Sequence, residues 1–382
     1  MKFLHISDLH LGKRFNEFSM IEDQRFILYK ILNCIDKEKP DAVLIAGDVY
    51  DKSIPSVEAV ELFDEFLRKL SERNLQVFIT SGNHDSPERM TCGTSLMEKS
   101  GFYFSKTYDG SVMHHRLEDK NGAINIYLLP YIKPAMVKSY FPEEAEAGKL
   151  DSYTEAVRFV IEKMELNPKE RNILVAHQFV TGSARCESEE IIIGGQDNVD
   201  AAVFADFDYV ALGHLHGAQK AGGENICYSG SPLKYSFSEV NHKKGGFMVE
   251  LGAKGEVRID KVLFEPLHDV RELKGTYNDL MNKKNYEGTA TDDYLHITLT
   301  DEEEIPEGFA KLSLVYKNLV KMDYDNKRTR AAGIVEDAID VEDTAPIDLF
   351  EQFFKMQNGT GFTEDQKNFA QGLIEEIWGG ER

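Results

Sequence analysis

Five short apolar stretches of this chain each run directly into a group of aspartate, histidine or asparagine side chains. Their β-branched and leucine-rich composition predicts buried strands. A sixth stretch of the same kind carries no such group, and in chain order the six are KFLHI, DAVLIA, QVFIT, NIYLLP, NILVAH and YVALG. Because the ends of successive strands meet at one edge of an α/β sheet, the five polar groups are predicted to form one site.

The polar groups contain seven side chains of the kinds that bind metal ions. They are Asp8 and His10 in SDLH, Asp48 in AGDVYD, Asn83 in GNHD, His177 in VAHQ, and His214 and His216 in GHLH. Residues two apart in an extended segment project the same way, so each such pair can face a common centre. Imidazoles, carboxylates and one carboxamide, without a thiolate, favour manganese, iron or zinc. Seven ligands exceed the capacity of one ion and suffice for two if Asp48 is shared.

Two divalent ions about 3.5 to 4 Å apart activate a water molecule and hold the oxygens of a phosphoryl group, so the pattern predicts phosphoester hydrolysis. The leaving oxygen still needs a proton. His84 follows the predicted ligand Asn83, and we predict that it acts as general acid or transition-state donor. Asp85 is predicted to orient the His84 ring and raise its basicity.

Between the predicted strands, apolar residues recur at helical spacing, as at Ile21 to Ile35, Val60 to Leu70 and within residues 150–166. This alternation predicts an α/β domain of sheet covered by helices. We predict a metal-dependent phosphoesterase domain at 1–265, a small α/β cap at 266–328, an acidic linker at 329–346 and a helical segment at 347–382. The cap contains the predicted strand YLHITLT and the acidic loop DEEEIPEG.

The helical segment carries more apolar surface than two short helices need. One helix is predicted to place Leu349, Phe350, Phe353 and Phe354 on one face, and the other to begin with a Thr363–Gln366 capping box before a stripe of Phe369, Leu373 and Ile377. Periodicity alone leaves two interpretations open. The helices bind a partner, or they fold back on their own domain.

The formal net charge of −22 argues against diffuse attraction to nucleic acid over the whole surface. A polyanionic substrate must therefore be held locally, by metal ions, by a partner subunit or by short basic stretches such as Lys13–Arg14 and Lys243–Lys244. No stretch reaches the roughly twenty apolar residues of a membrane helix. The direct start at FLHISDLH and four scattered cysteines, without a C-x-x-C pair, predict a cytoplasmic protein with no disulfide framework.

The motifs SDLH, GDVYD, GNHD, VAHQ and GHLH together resemble those of the calcineurin-like metallophosphoesterases. Within that superfamily the chain is similar to the SbcD family of DNA double-strand-break repair nucleases. Three features support this resemblance: the start FLHISDLHLG, the segment CYSGSPLKYSFSE, and a cap followed by a helical tail. It covers most of the chain and is most specific over residues 1–240. It implies a sandwich of β-sheets flanked by helices, a small α/β capping domain and a short C-terminal helical segment.

The resemblance also implies how the ligands divide. A first group, Asp8, His10, Asp48 and His216, would hold one metal, and a second group, Asp48, Asn83, His177 and His214, would hold the other. Family members use two Mn²⁺ ions, with Mg²⁺, iron or zinc as alternatives here. They degrade double-stranded DNA 3′ to 5′, cut single strands and open hairpins. They act with SbcC, a coiled-coil ATPase that the tail helices match in position, and homodimers are common among them.

Two departures from relatives bear on the substrate. Protein phosphatases of the superfamily place Arg-Gly after G-D-x-x-D, whereas here Lys52–Ser53 follow Asp51, which disfavours phosphoprotein substrates. Some archaeal relatives have a histidine where this chain has Asp51, so that phosphate contact is not expected. Two alternatives remain: a small-molecule phosphodiesterase acting on cyclic nucleotides, and a scaffold that docks an ATPase around a vestigial metal site.

Overall fold

The computed structural model describes residues 1–91, 93–189, 198–332, 346–358 and 360–379. The chain divides into two compact units, Met1–Val270 and Arg271–Arg382. Most of the predicted linker at 329–346 lies outside the described residues, and its first residues, 329–332, belong to a helix. The four-part division of the chain stays a prediction. Within the described ranges, none of the helices has the length and apolar character needed to cross a membrane.

The first unit contains two six-stranded sheets and a short hairpin, β2–β3. Its strands are β1 (Lys2–Ile6), β2 (Arg14–Phe15), β3 (Phe18–Ser19), β4 (Ala42–Ala46), β5 (Gln76–Thr80), β6 (Phe102–Phe104), β7 (Met113–Asp119), β8 (Gly122–Leu129), β9 (Arg171–His177), β10 (Tyr209–Gly213), β11 (Gln219–Lys220), β12 (Ile226–Tyr228), β13 (Gly245–Leu251) and β14 (Val257–Leu263). One sheet has the order β14-β13-β1-β4-β5-β6, and the other has the order β11-β12-β10-β9-β8-β7.

The two sheets pack face to face as a sandwich. Their shared core consists of fully buried side chains from both sheets, among them Phe3, Leu44 and Phe78 from the first and Ile126 and Val175 from the second. All six sequence-predicted strands are present. They do not share one sheet, however, because β1, β4 and β5 lie in the first sheet and β8, β9 and β10 in the second. The polar clusters meet because the carboxyl ends of β4 and β9 adjoin.

Helices cover the sandwich, as the alternating pattern predicts. Those of the first unit are α1 (Ile21–Glu38), α2 (Val57–Ser71), α3 (Pro87–Met90), α4 (Thr94–Met97), α5 (Pro134–Tyr140), α6 (Pro142–Glu146) and α7 (Tyr153–Glu162), with 3₁₀ turns at Glu98–Ser100, Ala201–Phe204 and Phe237–Glu239. In the predicted stripe of α1, Ile21 is half-buried and Leu28, Ile31, Leu32 and Ile35 are buried. Ser152 and Glu155 form a capping box that begins α7. Apolar side chains of α7, such as Val157, pack on the second sheet.

The second unit is a smaller α/β assembly. Its strands are β15 (Val270–Gly275), β16 (Tyr294–Leu299) and β17 (Leu319–Tyr324), and its helices are α8 (Tyr277–Leu280), α9 (Lys283–Tyr286), α10 (Gly308–Leu312), α11 (Lys327–Ala332), α12 (Pro346–Asn358) and α13 (Glu364–Gly379). The strands form one sheet in chain order. Leu295, Ile297 and Leu299 of β16 and Leu312 and Tyr316 form its core.

The two tail helices, α12 and α13, pack on each other. The rings of Phe350 and Phe354 contact Phe362, at centroid distances of 5.6 and 4.5 Å. The predicted capping box is present, since the Gln366 backbone N–H donates to Thr363 Oγ1 and the Thr363 N–H donates to Gln366 Oε1. Other aromatic side chains of this pair stay in solvent: Phe353 is 54% exposed and Phe369 71% exposed.

Candidate metal centre

Four of the predicted ligands lie at backbone angles that side chains other than glycine rarely adopt. The φ angles are 54° at Asp8, 44° at His10, 48° at Asp48 and 101° at His214. Each such residue costs of order 1–3 kcal/mol, and residues of this kind concentrate at functional sites. All four follow the carboxyl end of a strand. Backbone strain therefore occurs at positions where the sequence predicts metal binding.

On one side of the cluster, ligand atoms of Asp8, His10 and His216 lie within 4.8 Å of one another. The Nε2 atoms of His10 and His216 are 3.0 Å apart, and all three side chains are buried. Two imidazole nitrogens facing each other beside a buried carboxylate make a donor set suited to a divalent transition metal. These three residues belong to the first group.

On the other side, His177 and His214 converge on Asn83. The Asn83 Oδ1 atom is 3.1 Å from His177 Nε2 and 3.0 Å from His214 Nδ1. His177 Nδ1 donates to the carbonyl oxygen of Ala46 at 2.8 Å, so Nε2 is the ring atom that faces the cluster. These three predicted ligands belong to the second group.

Asp48 lies between the two sides. Its Oδ2 atom is 3.2 Å from His177 Nε2 and 3.7 Å from His10 Nε2. Its Oδ1 accepts a hydrogen bond from the backbone N–H of His84 at 3.0 Å. One carboxylate oxygen thus faces nitrogen ligands of both groups, which is the position that a bridging ligand requires. The structure brings all seven predicted ligands together, and their assignment to individual metals stays a prediction.

The electrostatics of the cluster favour metal-binding protonation states at several positions. Burial lowers the pKa of His214 to about 3, and the nearby charge of His177 lowers it further. Burial also places the pKa of His10 well below its usual range. Burial would raise the pKa of Asp48, but the charge and hydrogen bond of His177 lower it well below the usual range of an aspartate. Neutral imidazoles and an ionised carboxylate are the forms that coordinate metals. Burial would lower the pKa of His177, but Asp48 raises it to about 9, so His177 releases a proton when a metal binds.

His84 occupies the rim of this cluster. Its ring packs edge-on against His10, with centroids 4.9 Å apart, and its Nε2 is 4.0 Å from Asp48 Oδ2. Its Nδ1 donates to the carbonyl oxygen of Asp51 at 2.9 Å, which leaves Nε2 as the atom able to exchange a proton with a substrate. The His84 side chain is 16% exposed, whereas His177 is fully buried.

The contacts predicted for Asp85 are not the ones observed. Its buried carboxylate accepts three backbone hydrogen bonds, from Val49, Tyr50 and Gly82, at 3.0 to 3.1 Å. Asp85 therefore ties the GNHD loop to the GDVYD loop, and the Asp51 carbonyl orients His84 in its place. The reason is geometric: the two side chains are adjacent in sequence, and a carboxylate that turns inward to backbone donors faces away from a ring at the rim.

One lysine of each short basic stretch pairs with a carboxylate inside the fold. Lys13 Nζ donates to Asp51 Oδ1 at 2.8 Å, and buried Lys244 pairs with Glu239. Both charges are thus neutralised within the fold. A cation near the cluster that the sequence did not suggest is Arg185, whose guanidinium carbon lies 3.5 Å from the centroid of the Phe179 ring. Phe179 in turn packs against His214.

Residues outside the predicted set also support the cluster. Ser188 and Glu239 lie behind His216, and Glu239 belongs to the segment CYSGSPLKYSFSE, for which the sequence suggested no chemical role. Two further histidines lie outside the cluster. His268 pairs with Asp23, and His296 pairs with Asp323. The described cysteines, Cys34, Cys186 and Cys227, are free thiols.

Comparison with known proteins gives a consistent result. The calcineurin-like phosphoesterase family matches residues 1–218, and the family described as the type 5 capsule protein repressor C-terminal domain matches residues 266–358. The SbcD subunit of the nuclease SbcCD from Staphylococcus epidermidis is 32% identical over 328 residues, covering 84% of this chain and 85% of that protein.

Among solved structures, a dimetal phosphatase from Danio rerio aligns with 70% of this chain and 98% of its own, at 11% identity and a TM-score of 0.43. The protein TT1561 of Thermus thermophilus aligns with 68% of this chain and 98% of its own, at 12% identity and a TM-score of 0.35. From the family matches and the extent of the sequence identity, the chain belongs to the SbcD family of calcineurin-like phosphoesterases and is a metal-dependent phosphodiesterase.

Proposed function

We propose that this protein is a nuclease subunit that hydrolyses DNA phosphodiesters at a two-metal centre, as a 3′ to 5′ exonuclease on double strands and an endonuclease on single strands and hairpins. The observation that carries the proposal is the shared carboxylate. A single Asp48 oxygen faces His10 on one side and His177 on the other, with His84 at the rim. A donor set divided about one carboxylate suits two ions better than one.

In this proposal, the first group of Asp8, His10, Asp48 and His216 and the second group of Asp48, Asn83, His177 and His214 hold two Mn²⁺ ions, with Mg²⁺, iron or zinc as alternatives. Bound divalent ions supply an activated water molecule and neutralise the phosphoryl oxygens. The donor set fits such ions because it combines bare imidazole nitrogens with buried carboxylates and contains no thiolate.

His84 supplies the proton that the leaving oxygen needs. Because its Nδ1–H is held by the Asp51 carbonyl, the proton delivered to the substrate comes from Nε2. The backbone N–H of His84 donates to Asp48, which fixes the loop that carries the ring. Asp85 holds the same loop from beneath through its bonds to Val49, Tyr50 and Gly82. Asp85 acts here as a positioning residue.

The relative's name, which makes it part of SbcCD, supports an SbcC-like coiled-coil ATPase as partner. The exposed Phe353 and Phe369 of the tail helices are the surface we propose for that contact. A partner that contributes DNA-binding surface also accounts for binding of DNA by a chain with a net charge of −22. A cytoplasmic location fits this role.

We also propose that the protein forms a homodimer. The first unit exposes apolar side chains in the segments that follow the GDVYD and GNHD motifs: Ile54 is 70% exposed, Val57 72% and Leu96 71%. Apolar exposure of this kind favours a protein contact.

The alternative enzyme, a phosphodiesterase of cyclic nucleotides, would use the same cluster but has no need of the second unit or of exposed tail phenylalanines. The alternative scaffold would need neither a rim histidine nor strained ligand backbones. Strain at four ligand positions favours an active centre over a vestigial one.

The experiment compares wild-type protein and a His84→Ala variant with Mn²⁺ or Mg²⁺, with and without the ATPase partner. Substrates are end-labelled linear duplex, hairpin and single-stranded DNA and a cyclic nucleotide. We expect DNA cleavage by the wild type and a loss of about 10²–10⁴-fold in kcat for His84→Ala with Mn²⁺ binding retained. His114→Ala, a change at an exposed histidine of β7, is the matched control and should cleave normally.

Cyclic-nucleotide turnover without DNA cleavage would refute the nuclease proposal. Absence of any turnover with Mn²⁺ bound would favour the scaffold. Cleavage by His84→Ala at the wild-type rate would remove His84 from the mechanism, and the label position of the products decides the exonuclease direction.

A further inference from the structure

A buried ion pair lies directly behind His216. The Glu239 carboxylate is fully buried, and the Lys244 side chain is 5% exposed. Lys244 Nζ donates to Glu239 Oε2, to the backbone carbonyl of His216 at 2.8 Å and to Ser231 Oγ at 2.8 Å. Removing two charges from water costs about as much as their attraction returns, so a buried pair is weak as a stabilising device. The position of the pair behind His216 therefore indicates a role other than stability.

Glu239 reaches the His216 ring mainly through Ser188, because Glu239 Oε1 is 3.4 Å from His216 Nδ1 whereas the Ser188 hydroxyl makes shorter contacts with both. Ser188 Oγ is 2.5 Å from Glu239 Oε1 and 2.7 Å from His216 Nδ1. An ionised carboxylate only accepts, so the Ser188 hydroxyl donates to Glu239 and its oxygen accepts from His216 Nδ1–H. His216 Nε2 then has no proton. Its lone pair faces His10 Nε2, 3.0 Å away, where the first group gathers.

Glu239 is itself held in place on both oxygens. Oε1 also accepts from the backbone N–H of Tyr235 at 3.2 Å and from Ser236 Oγ at 3.2 Å, while Oε2 receives Lys244. Tyr235 packs edge-on against both His10 and His216, at 5.5 and 5.7 Å between centroids. The segment SPLKYSFSE thus delivers a fixed acceptor to the rear of one imidazole.

We infer that Glu239 is a positioning residue that sets the tautomer and orientation of His216 through Ser188, so that the first group binds its metal through His216 Nε2. This inference rests on the proposed role of His216 as a ligand. Carboxylates behind metal-binding histidines keep the ring oriented and raise its basicity, and their loss typically lowers metal affinity about 10–100-fold.

The test is a Mn²⁺ titration followed by electron paramagnetic resonance, which counts free Mn²⁺, on the full chain. For Glu239→Gln, we expect one Mn²⁺ to bind about 10–100-fold more weakly and the other to bind as in the wild type. The matched control is Asp208→Asn. Asp208 is a buried carboxylate paired with Lys254, and it accepts from the Asn172 backbone N–H at the opposite end of β9. This control should lower the urea midpoint and leave both Mn²⁺ affinities unchanged.

Wild-type affinity for both ions in a folded Glu239→Gln variant would overturn the inference. If that variant does not fold, Ser188→Ala breaks the same hydrogen-bond relay at a partly exposed position and must show the same selective loss, or the inference fails. The titration contains no substrate. A wild-type protein that binds two Mn²⁺ but does not cleave DNA would refute the proposed function alone, and unchanged affinities in both variants would refute the positioning role alone.

Discussion

The two sides of the cluster orient a histidine by different means. On one side, His216 Nδ1 donates to the Ser188 hydroxyl, which leads to the buried Glu239–Lys244 pair. On the other side, His177 Nδ1 donates to the backbone carbonyl of Ala46. In both arrangements Nδ1 is held from behind and Nε2 faces the cluster. The first relies on side-chain charge, and the second relies on backbone placement.

Close packing maintains the second arrangement. A Cβ atom on Gly47 would lie 2.4 Å from His177 Nδ1, and one on Gly213 would lie 2.7 Å from that atom and 1.8 Å from the Ala46 carbonyl oxygen. Contacts under 3.0 Å force a neighbour to move. Glycine at both positions thus lets the ring and the carbonyl meet. The first side can therefore be disturbed by removing charge, and the second by adding a single carbon atom.

Removing the charge of the shared carboxylate should weaken metal binding on both sides of the cluster. Asp48→Asn takes away the carboxylate charge that lies between His10 and His177. We expect both Mn²⁺ affinities to fall by more than about 100-fold, which exceeds the effect of losing a residue that only orients a ligand. DNA cleavage should fall with them. The Mn²⁺ titration and DNA cleavage measure this. Retention of one ion at wild-type affinity would show that Asp48 serves a single side.

Adding a methyl group at Gly213 should weaken metal binding on one side of the cluster only. Gly213→Ala places a carbon against His177 and the Ala46 carbonyl, so we expect the second group alone to lose about 10–100-fold in Mn²⁺ affinity. Glu239→Gln is expected to do the opposite, weakening the Mn²⁺ of the first group and sparing that of the second. Gly372→Ala on α13, where a Cβ meets nothing within 4 Å, is the control. Equal weakening of both ions would mean that the sides are not independent.

A change beside the first residue of β9, at the end of the strand away from the cluster, should alter metal binding on neither side. Arg171 begins that strand, donates to both Asp119 oxygens and holds the pKa of that carboxyl well below its usual range. Because the folded-state pKa is depressed, the pair stabilises the fold above the unfolded value of about 4 and the contribution is lost as pH falls below it.

For Asp119→Asn, we therefore expect a free energy of unfolding about 1–3 kcal/mol lower at pH 7, converging with the wild type in acid, and unchanged Mn²⁺ affinities. Urea unfolding across pH and the same titration measure this. A change in Mn²⁺ affinity would show that loss of the Asp119–Arg171 pair displaces the ligands at the other end of β9.

The sequence predicted the ligand cluster well because each member follows an apolar run whose strand character is a local property. It could not predict that β4 and β9 belong to different sheets, since sheet membership depends on pairing between distant segments. The orientation of Asp85 was missed because three backbone donors compete for its carboxylate. Glu239 was missed because its link to His216 runs through Ser188, 51 residues earlier in the chain.

The rim position of His84 has a consequence for repeated turnover. In the proposed reaction, each cleavage takes a proton from Nε2, and the ring needs a new one before the next phosphodiester is cut. A side chain that is 16% exposed can take that proton directly from water. Recharging the acid therefore requires no chain of proton carriers through the protein, and successive cuts along a strand need not wait for an internal rearrangement.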